Sequence, residues 1–171
     1  MGKSKSSSKE SKSVVKKSKT ESSSKTADDS VDNYEKRMPA VLTFAKPLAS
    51  KKLNKKTLKT IKKASKAKHV KRGVKEVVKA LRKGEKGLVI IAGDISPADV
   101  ISHLPVLCED SSVPFVFIPS KEDLGSAGAT KRPTSCVMIV PGGGKKSKNS
   151  EAKEEYKEGY DEIVKEIATL A

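Results

Sequence analysis

Leu88-Val89-Ile90-Ile91-Ala92, bounded by Gly87 and Gly93, decides the reading of the fold. The run is unbroken, apolar, rich in β-branched side chains and too short for a buried helix, so it reads as a strand covered on both faces. Two similar runs follow, Pro114–Ile118 and Cys136–Val140. After the first strand, Ser96-Pro97-Ala98-Asp99 predicts a helix start, with Ser at the N-cap, Pro at the first helical position and an acid at the third. That helix carries Ile101 and Leu104, and Pro105 is expected to break or kink it. Ser120–Ser126 predicts a short helix before the third strand. Upstream, Val74, Val77, Val78 and Leu81 recur at spacings of three and four, which predicts a helix from Gly73 to Gly84. An earlier helix is expected from Leu48, with Leu58, Ile61, Ala64 and Ser65 on its inner side. Arg37–Pro47 reads as an extended lead-in, because Pro39 and Pro47 disfavour helix in the residues before them. From Glu151 an amphipathic helix is expected, with Tyr156, Tyr160, Ile163, Ile167 and Leu170 on one stripe. Helices alternate with strands, so the class is α/β, with a small sheet covered on both sides.

The length of 171 residues allows one domain of ordinary size. Composition divides the chain into a disordered Ser/Lys-rich tail (1–33), an α/β domain (34–141), a Gly/Lys linker (142–150) and a C-terminal amphipathic helix (151–171) packing on the domain. The tail is too polar to bury surface that would offset its chain entropy. With no apolar run of ~18 residues, no membrane span is expected. With no apolar stretch behind Met1, no signal peptide is expected either. Cys108 and Cys136 form no CxxC pair; they read as small core side chains in a reducing compartment.

The charge is concentrated. Lys and Arg number 36 against 21 acids, a net +15. Residues 46–83 alone hold 16 Lys and Arg and one acid, Glu76, a surplus equal to that of the whole chain. Such a segment favours a polyanionic partner, nucleic acid before an anionic membrane surface. A merely solvated Lys-rich surface is the plain alternative.

Signals for catalysis fail on spacing. Gly142-Gly143-Gly144-Lys145-Lys146-Ser147 does not match a phosphate loop and reads as linker. His69 and His103 have no Cys or carboxylate at ligand spacing, so no metal site is expected. Asp94 follows a strand end but suits a structural role in the turn. No nucleophile, base and orienting group converge, and no catalytic residue is assigned.

The sharpest motif is Arg72-Gly73-Val74-Lys75-Glu76-Val77-Val78-Lys79. Gly73 permits close approach of a nucleic-acid backbone, and the first helical turn behind it offers free N–H groups to an anion. Arg72, Lys75 and Lys79 add positive charge. Glu76 is a lone acid in that field. It either accepts from a base amino group or serves the helix N-terminus and its cationic neighbours. A second basic element, Gly128-Ala129-Thr130-Lys131-Arg132-Pro133-Thr134, is either a further contact loop or an ordinary polar connection.

Gly73–Lys79, with Leu88–Ala92 and Gly93-Asp94-Ile95-Ser96-Pro97, resembles the kink-turn RNA-binding family of ribosomal and small nucleolar ribonucleoprotein proteins, and in particular its fungal H/ACA branch. The resemblance runs through Tyr34–Lys46, Lys51–Leu58, Leu104–Glu109 and Gly125–Pro133. It implies a single-domain three-layer α-β-α sandwich around a small mixed four-stranded sheet, with His69–Arg72 as the fourth strand. It implies a non-catalytic RNA-binding core subunit of the H/ACA ribonucleoprotein, which guides pseudouridylation of rRNA and snRNA in ribosome biogenesis. The implied partners are H/ACA guide RNA, a pseudouridine synthase subunit, a small bridging subunit and a Gly/Arg-rich subunit, in the nucleus and nucleolus. No cofactor, membrane or small-molecule substrate is implied. The family's RNA-contacting positions carry onto Gly73, Lys75, Glu76 and Lys79 and onto the loop residues Ala129, Thr130, Lys131 and Arg132. A kink-turn subunit of the ribosome or of box C/D particles is the alternative, and a Lys-rich DNA or chromatin binder a more distant one. One position departs from the pattern: Lys75 stands where kink-turn readers carry Asn. Lys donates only and binds phosphate strongly, which predicts binding governed by RNA shape and phosphate.

Overall fold

A computed structural model describes residues 34–141 and 154–170 of the chain. The tail 1–33 and the linker 142–150 lie outside the described residues. The elements in order are α1 (Lys51–Lys66), β1 (Val70–Arg72), α2 (Val74–Arg82), β2 (Leu88–Ala92), α3 (Asp99–Asp110), β3 (Phe115–Ile118), α4 (Lys121–Ala127), β4 (Cys136–Ile139) and α5 (Glu154–Leu170). The strand order is β1-β4-β2-β3. β2 and β3 run parallel, and β4 is antiparallel to both β1 and β2, so the sheet is mixed.

The continuous apolar runs are explained by two separate cores. Successive strand side chains point to opposite faces. Leu88, Ile90, Ala92, Val116, Ile118, Val137 and Ile139 pack with α1, α4 and α5. Val89, Ile91, Phe117, Cys136 and Met138 pack with α2 and α3. Both faces of the sheet are therefore covered, in three layers. Most residues expected to line the helices do so: Ile61, Ala64 and Ser65 of α1, Val77 and Leu81 of α2, and Tyr156, Ile163 and Ile167 of α5 are buried, and Leu58, Val74, Val78 and Tyr160 are partly buried, but Leu170, in the last turn of α5, is exposed. α5 rests on α1, where Lys56 meets Glu162 and Glu166 at 3.4 and 2.6 Å. Its Tyr156 hydroxyl lies 2.7 Å from Nδ1 of the buried His69.

Several boundaries differ from the sequence reading, each for a local reason. α1 begins at Lys51 with Ser50 as its cap, and Leu48 instead forms a parallel bridge to Phe117. There Ala49 N–H donates to the Phe117 carbonyl at 2.8 Å, and Phe117 N–H donates to the Pro47 carbonyl at 2.9 Å. The lead-in holds one 3₁₀ turn, Met38–Ala40; Pro39 sits in its first turn, where no N–H is required. α3 starts at Asp99 with no side-chain cap, later than Ser96-Pro97 suggests. It continues through Pro105, because Ile101, Leu104 and Cys108 lie on one buried stripe spanning that residue. Burying Cys108 beyond Pro105 keeps the helix intact against a cost of about 3 kcal/mol.

Cys108 and Cys136 are both buried in the α2–α3 core. Burial pushes each thiol up from 9.0 to about 12. At pH 8 the reactive thiolate is then about one molecule in ten thousand. The native protein is expected to resist iodoacetamide at that pH and to take up two equivalents once unfolded in denaturant. Rapid native labelling of either thiol would contradict the packing.

Candidate nucleic-acid interface

The two basic segments are brought together by the register between β1 and β4. Arg72 pairs with Val137, so the end of β1 lies beside the beginning of β4. Immediately beyond that pair, Gly73 N–H donates to the Cys136 carbonyl at 2.8 Å. The loop 128–135 feeds into β4 at this point, and Ser135 accepts from Ala92 N–H at 2.8 Å. The start of α2, the basic loop and the carboxyl end of β2 thus share one end of the sheet. Ligands of open α/β sheets characteristically bind at the carboxyl ends of parallel strands.

Gly73 has φ +82° and ψ 156°, a conformation essentially reserved for glycine. A Cβ placed there would meet nothing within 4 Å, so the space above the turn is open. No side chain caps α2, which leaves its first-turn N–H groups without a side-chain acceptor. Glu76, at the third helical position, turns back and accepts from Arg72 N–H at 3.1 Å. It reaches one residue further than a capping-box acid does, since Gly73 N–H is already engaged by β4. The structural alternative for Glu76 is therefore realised through a backbone partner, and the carboxylate stays exposed at the turn.

Arg72 faces inward. Its Nη2 donates to Ser65 Oγ at 3.0 Å, and its Nε is buried near Gly128. Ser65 Oγ in turn donates to the Gly128 carbonyl at 3.1 Å. The guanidinium thus ties the end of α1 and the start of the basic loop to β1. Thr130 is also turned inward; its hydroxyl lies 2.9 Å from both the Gly125 and Arg132 carbonyls. Arg72 and Thr130 therefore shape the interface, whereas Lys75, Lys79, Ala129, Lys131 and Arg132 are exposed on it. Among the described residues none of Lys75, Lys79, Lys131 and Arg132 is paired with a carboxylate.

The sequence reading missed two features. Val74 and Val78 floor an open hollow of ≈ 690 Å³ ringed by Lys75, Lys79, Arg82 and Lys83. An apolar floor inside a cationic rim suits a ribose or base face with phosphates around it. The spacing of Lys75, Lys79 and Arg82 already places those three on one face of the helix; it does not show that Val74 and Val78 stay open between them. The second is the anchoring of the loop on Gly125, which has no charge or motif to announce it. Asp94 has a structural role, but not in its own turn: Oδ1 accepts from Lys121 N–H at 2.8 Å, at the start of α4. Among the described residues no group of three or more His, Cys, Asp or Glu side chains is placed to hold a metal ion.

An α-β-α sandwich with a cationic, open turn at one end of its sheet is the form of a small nucleic-acid-binding module. Residues 55–149 match the ribosomal protein L7Ae/L30e/S12e/Gadd45 family, and the chain belongs to that family. The chain is 71% identical over 140 residues to the H/ACA ribonucleoprotein complex subunit NHP2 of Saccharomyces cerevisiae, covering 82% of this chain and 90% of that protein. It is 63% identical over 139 residues to the H/ACA ribonucleoprotein complex subunit nhp2 of Schizosaccharomyces pombe, covering 81% and 89%. Among solved structures, the Giardia lamblia 15.5kD RNA binding protein superposes with a TM-score of 0.66 at 33% identity, covering 77% of this chain and 100% of that one.

Proposed function

We propose that this chain is a non-catalytic RNA-binding core subunit of an H/ACA ribonucleoprotein. It binds the guide RNA through Gly73, Lys75, Glu76 and Lys79 and through the loop Ala129–Arg132, with Arg72 and Thr130 holding these parts in place. The observation that carries the reading is the Gly73–Cys136 hydrogen bond at 2.8 Å, which joins the uncapped start of α2 to the basic loop. The names of the fungal relatives, at 63% and 71% identity, support the H/ACA assignment. Held in a larger particle, the subunit fixes the upper part of a guide hairpin so that a target uridine reaches the active site of a separate pseudouridine synthase subunit. This assists catalysis by positioning. A small bridging subunit and a Gly/Arg-rich subunit complete the particle in the nucleolus.

Lys75 contributes charge rather than two-way reading of a base edge. The free protein is accordingly expected to bind a kink-turn RNA and a stem with an ordinary internal loop within about tenfold of each other; a strong kink-turn preference would favour a box C/D or ribosomal role. Lys75→Ala with Lys79→Ala is expected to lower the log–log salt slope of RNA binding by about 2, one unit for each lost phosphate contact. The double variant melts like the parent, because both side chains are exposed. An unchanged salt slope would remove α2 from the interface. Co-purification followed by sequencing of bound RNA tests the assignment to the H/ACA particle.

A further inference from the structure

α1 carries a surface that the interface above does not use. Its 16 residues include eight lysines and no acid. Five of them, Lys52, Lys55, Lys59, Lys62 and Lys66, recur at spacings of three, four, three and four, and so fall on one stripe of the helix. That stripe lies opposite the buried side formed by Leu53, Thr57, Ile61 and Ala64. Lys55 is half-buried and the other four are exposed. Among the described residues none of the five meets a carboxylate, whereas Lys56 on the flank is satisfied by Glu162 and Glu166 of α5. Ordinary solvated helix faces mix both signs, and like charges three or four apart destabilise a helix. The first turn of α1 adds to the repulsion, because it holds lysines and no acid at the positive end of the helix dipole. Among the described residues carboxylates meet α1 at Lys51, through Glu35, and at Lys56, and they leave the stripe itself unpaired, so an external polyanion is its natural counterpart.

The position of the stripe selects the polyanion. Lys66 adjoins Ser65, whose hydroxyl bonds both the Arg72 guanidinium and the Gly128 carbonyl at the edge of the candidate interface. From there the stripe runs ~21 Å along α1, the length of about seven base pairs of A-form RNA duplex.

We propose that the lysine stripe of α1 is a second phosphate-binding track, on which the duplex stem of the RNA held at the Gly73 turn continues across the α1 face. The inference builds on the RNA-binding reading above. The test uses the full chain and two RNAs, a minimal stem-loop and the same stem-loop with its duplex extended by about ten base pairs. Replacing Lys52, Lys55, Lys59, Lys62 and Lys66 together by Gln is expected to cut affinity for the extended RNA at least tenfold and to lower its salt slope by about 4. Affinity for the minimal RNA should stay within twofold, and the melting temperature should not fall, since repulsion is being relieved. Equal loss on both RNAs, or an unchanged slope on the extended one, overturns the track. A variant that loses binding to a poly-glutamate peptide while keeping the extended RNA assigns the stripe to an acidic protein and overturns it as well. Binding of the minimal RNA by the parent chain tests the primary reading separately. If that fails while binding of the extended RNA depends on the stripe, the track stands and the reading of the Gly73 turn falls.

Discussion

Gly125→Ala is expected to abolish measurable RNA binding at physiological salt and to destabilise the fold by about 1–3 kcal/mol. Gly125 is buried within α4, and a Cβ there would run into the Arg132 carbonyl oxygen, with the Arg132 carbonyl carbon and Pro133 Cα each 3.2 Å away. These are backbone atoms, so no side-chain rotation relieves the clash. The whole turn must lift from α4. In doing so it breaks the bond from Thr130 N–H to the Gly125 carbonyl at 3.0 Å and displaces the Thr130 hydroxyl from the same oxygen. Lys131 and Arg132 then leave the side of the α2 turn, and the proposed two-part phosphate site becomes two weak ones. Ser126→Ala, one residue on and exposed, is the control and should bind and melt like the parent. Thermal melting and a binding titration on both variants decide the matter. Parent-like behaviour of Gly125→Ala would mean that the loop is not seated on α4.

The second large effect falls on stability and spares the interface. Tyr156 is almost fully buried between α5 and the body of the protein, at 1% exposure, and its hydroxyl meets His69 at the entry to β1. Tyr156→Ala removes a large ring and leaves a cavity, a cost of about 3–5 kcal/mol. Tyr156→Phe keeps the ring and loses only the hydroxyl contact, about 1 kcal/mol. Urea denaturation should rank the proteins parent, Phe, Ala, with most of the gap in the last step. RNA affinity measured well below the melting transition should hold in both variants, because no exposed cation of the interface belongs to α5. A Tyr156→Ala protein within 1 kcal/mol of the parent would show that α5 contributes little to the fold.

What the sequence disclosed follows from how each element is stabilised. β2, β3 and β4 are legible because both of their faces are buried and their residues are apolar throughout. β1, Val-Lys-Arg, has no such pattern and is half-exposed along its length. It is a strand because β4 pairs with it, a non-local cause that only the family resemblance anticipated. In α1 the buried Thr57 and Thr60 look like surface residues. Each hydroxyl is satisfied within the helix, on the carbonyls of Leu53 and Lys56, which lets polar side chains occupy the inner side. The site divides in the same way. Its cations were visible as charge, but the meeting of the α2 turn with the loop depends on a strand register between residues nearly seventy positions apart. The inward turn of Arg72 and Thr130 depends on Ser65, Gly128 and Gly125, none of which carries a sign of that use in the sequence.

The short stretch Pro47–Ala49 has a consequence for solubility. A sheet whose side chains are so uniformly apolar would be a template for strand addition by another chain if its margins were open. One margin is occupied by Pro47–Ala49 of the same molecule. The other is β1, which is only three residues long and carries Lys71 and Arg72. Edge-on stacking between copies is therefore obstructed on both sides, and a protein of this composition can be concentrated on RNA without its sheets joining.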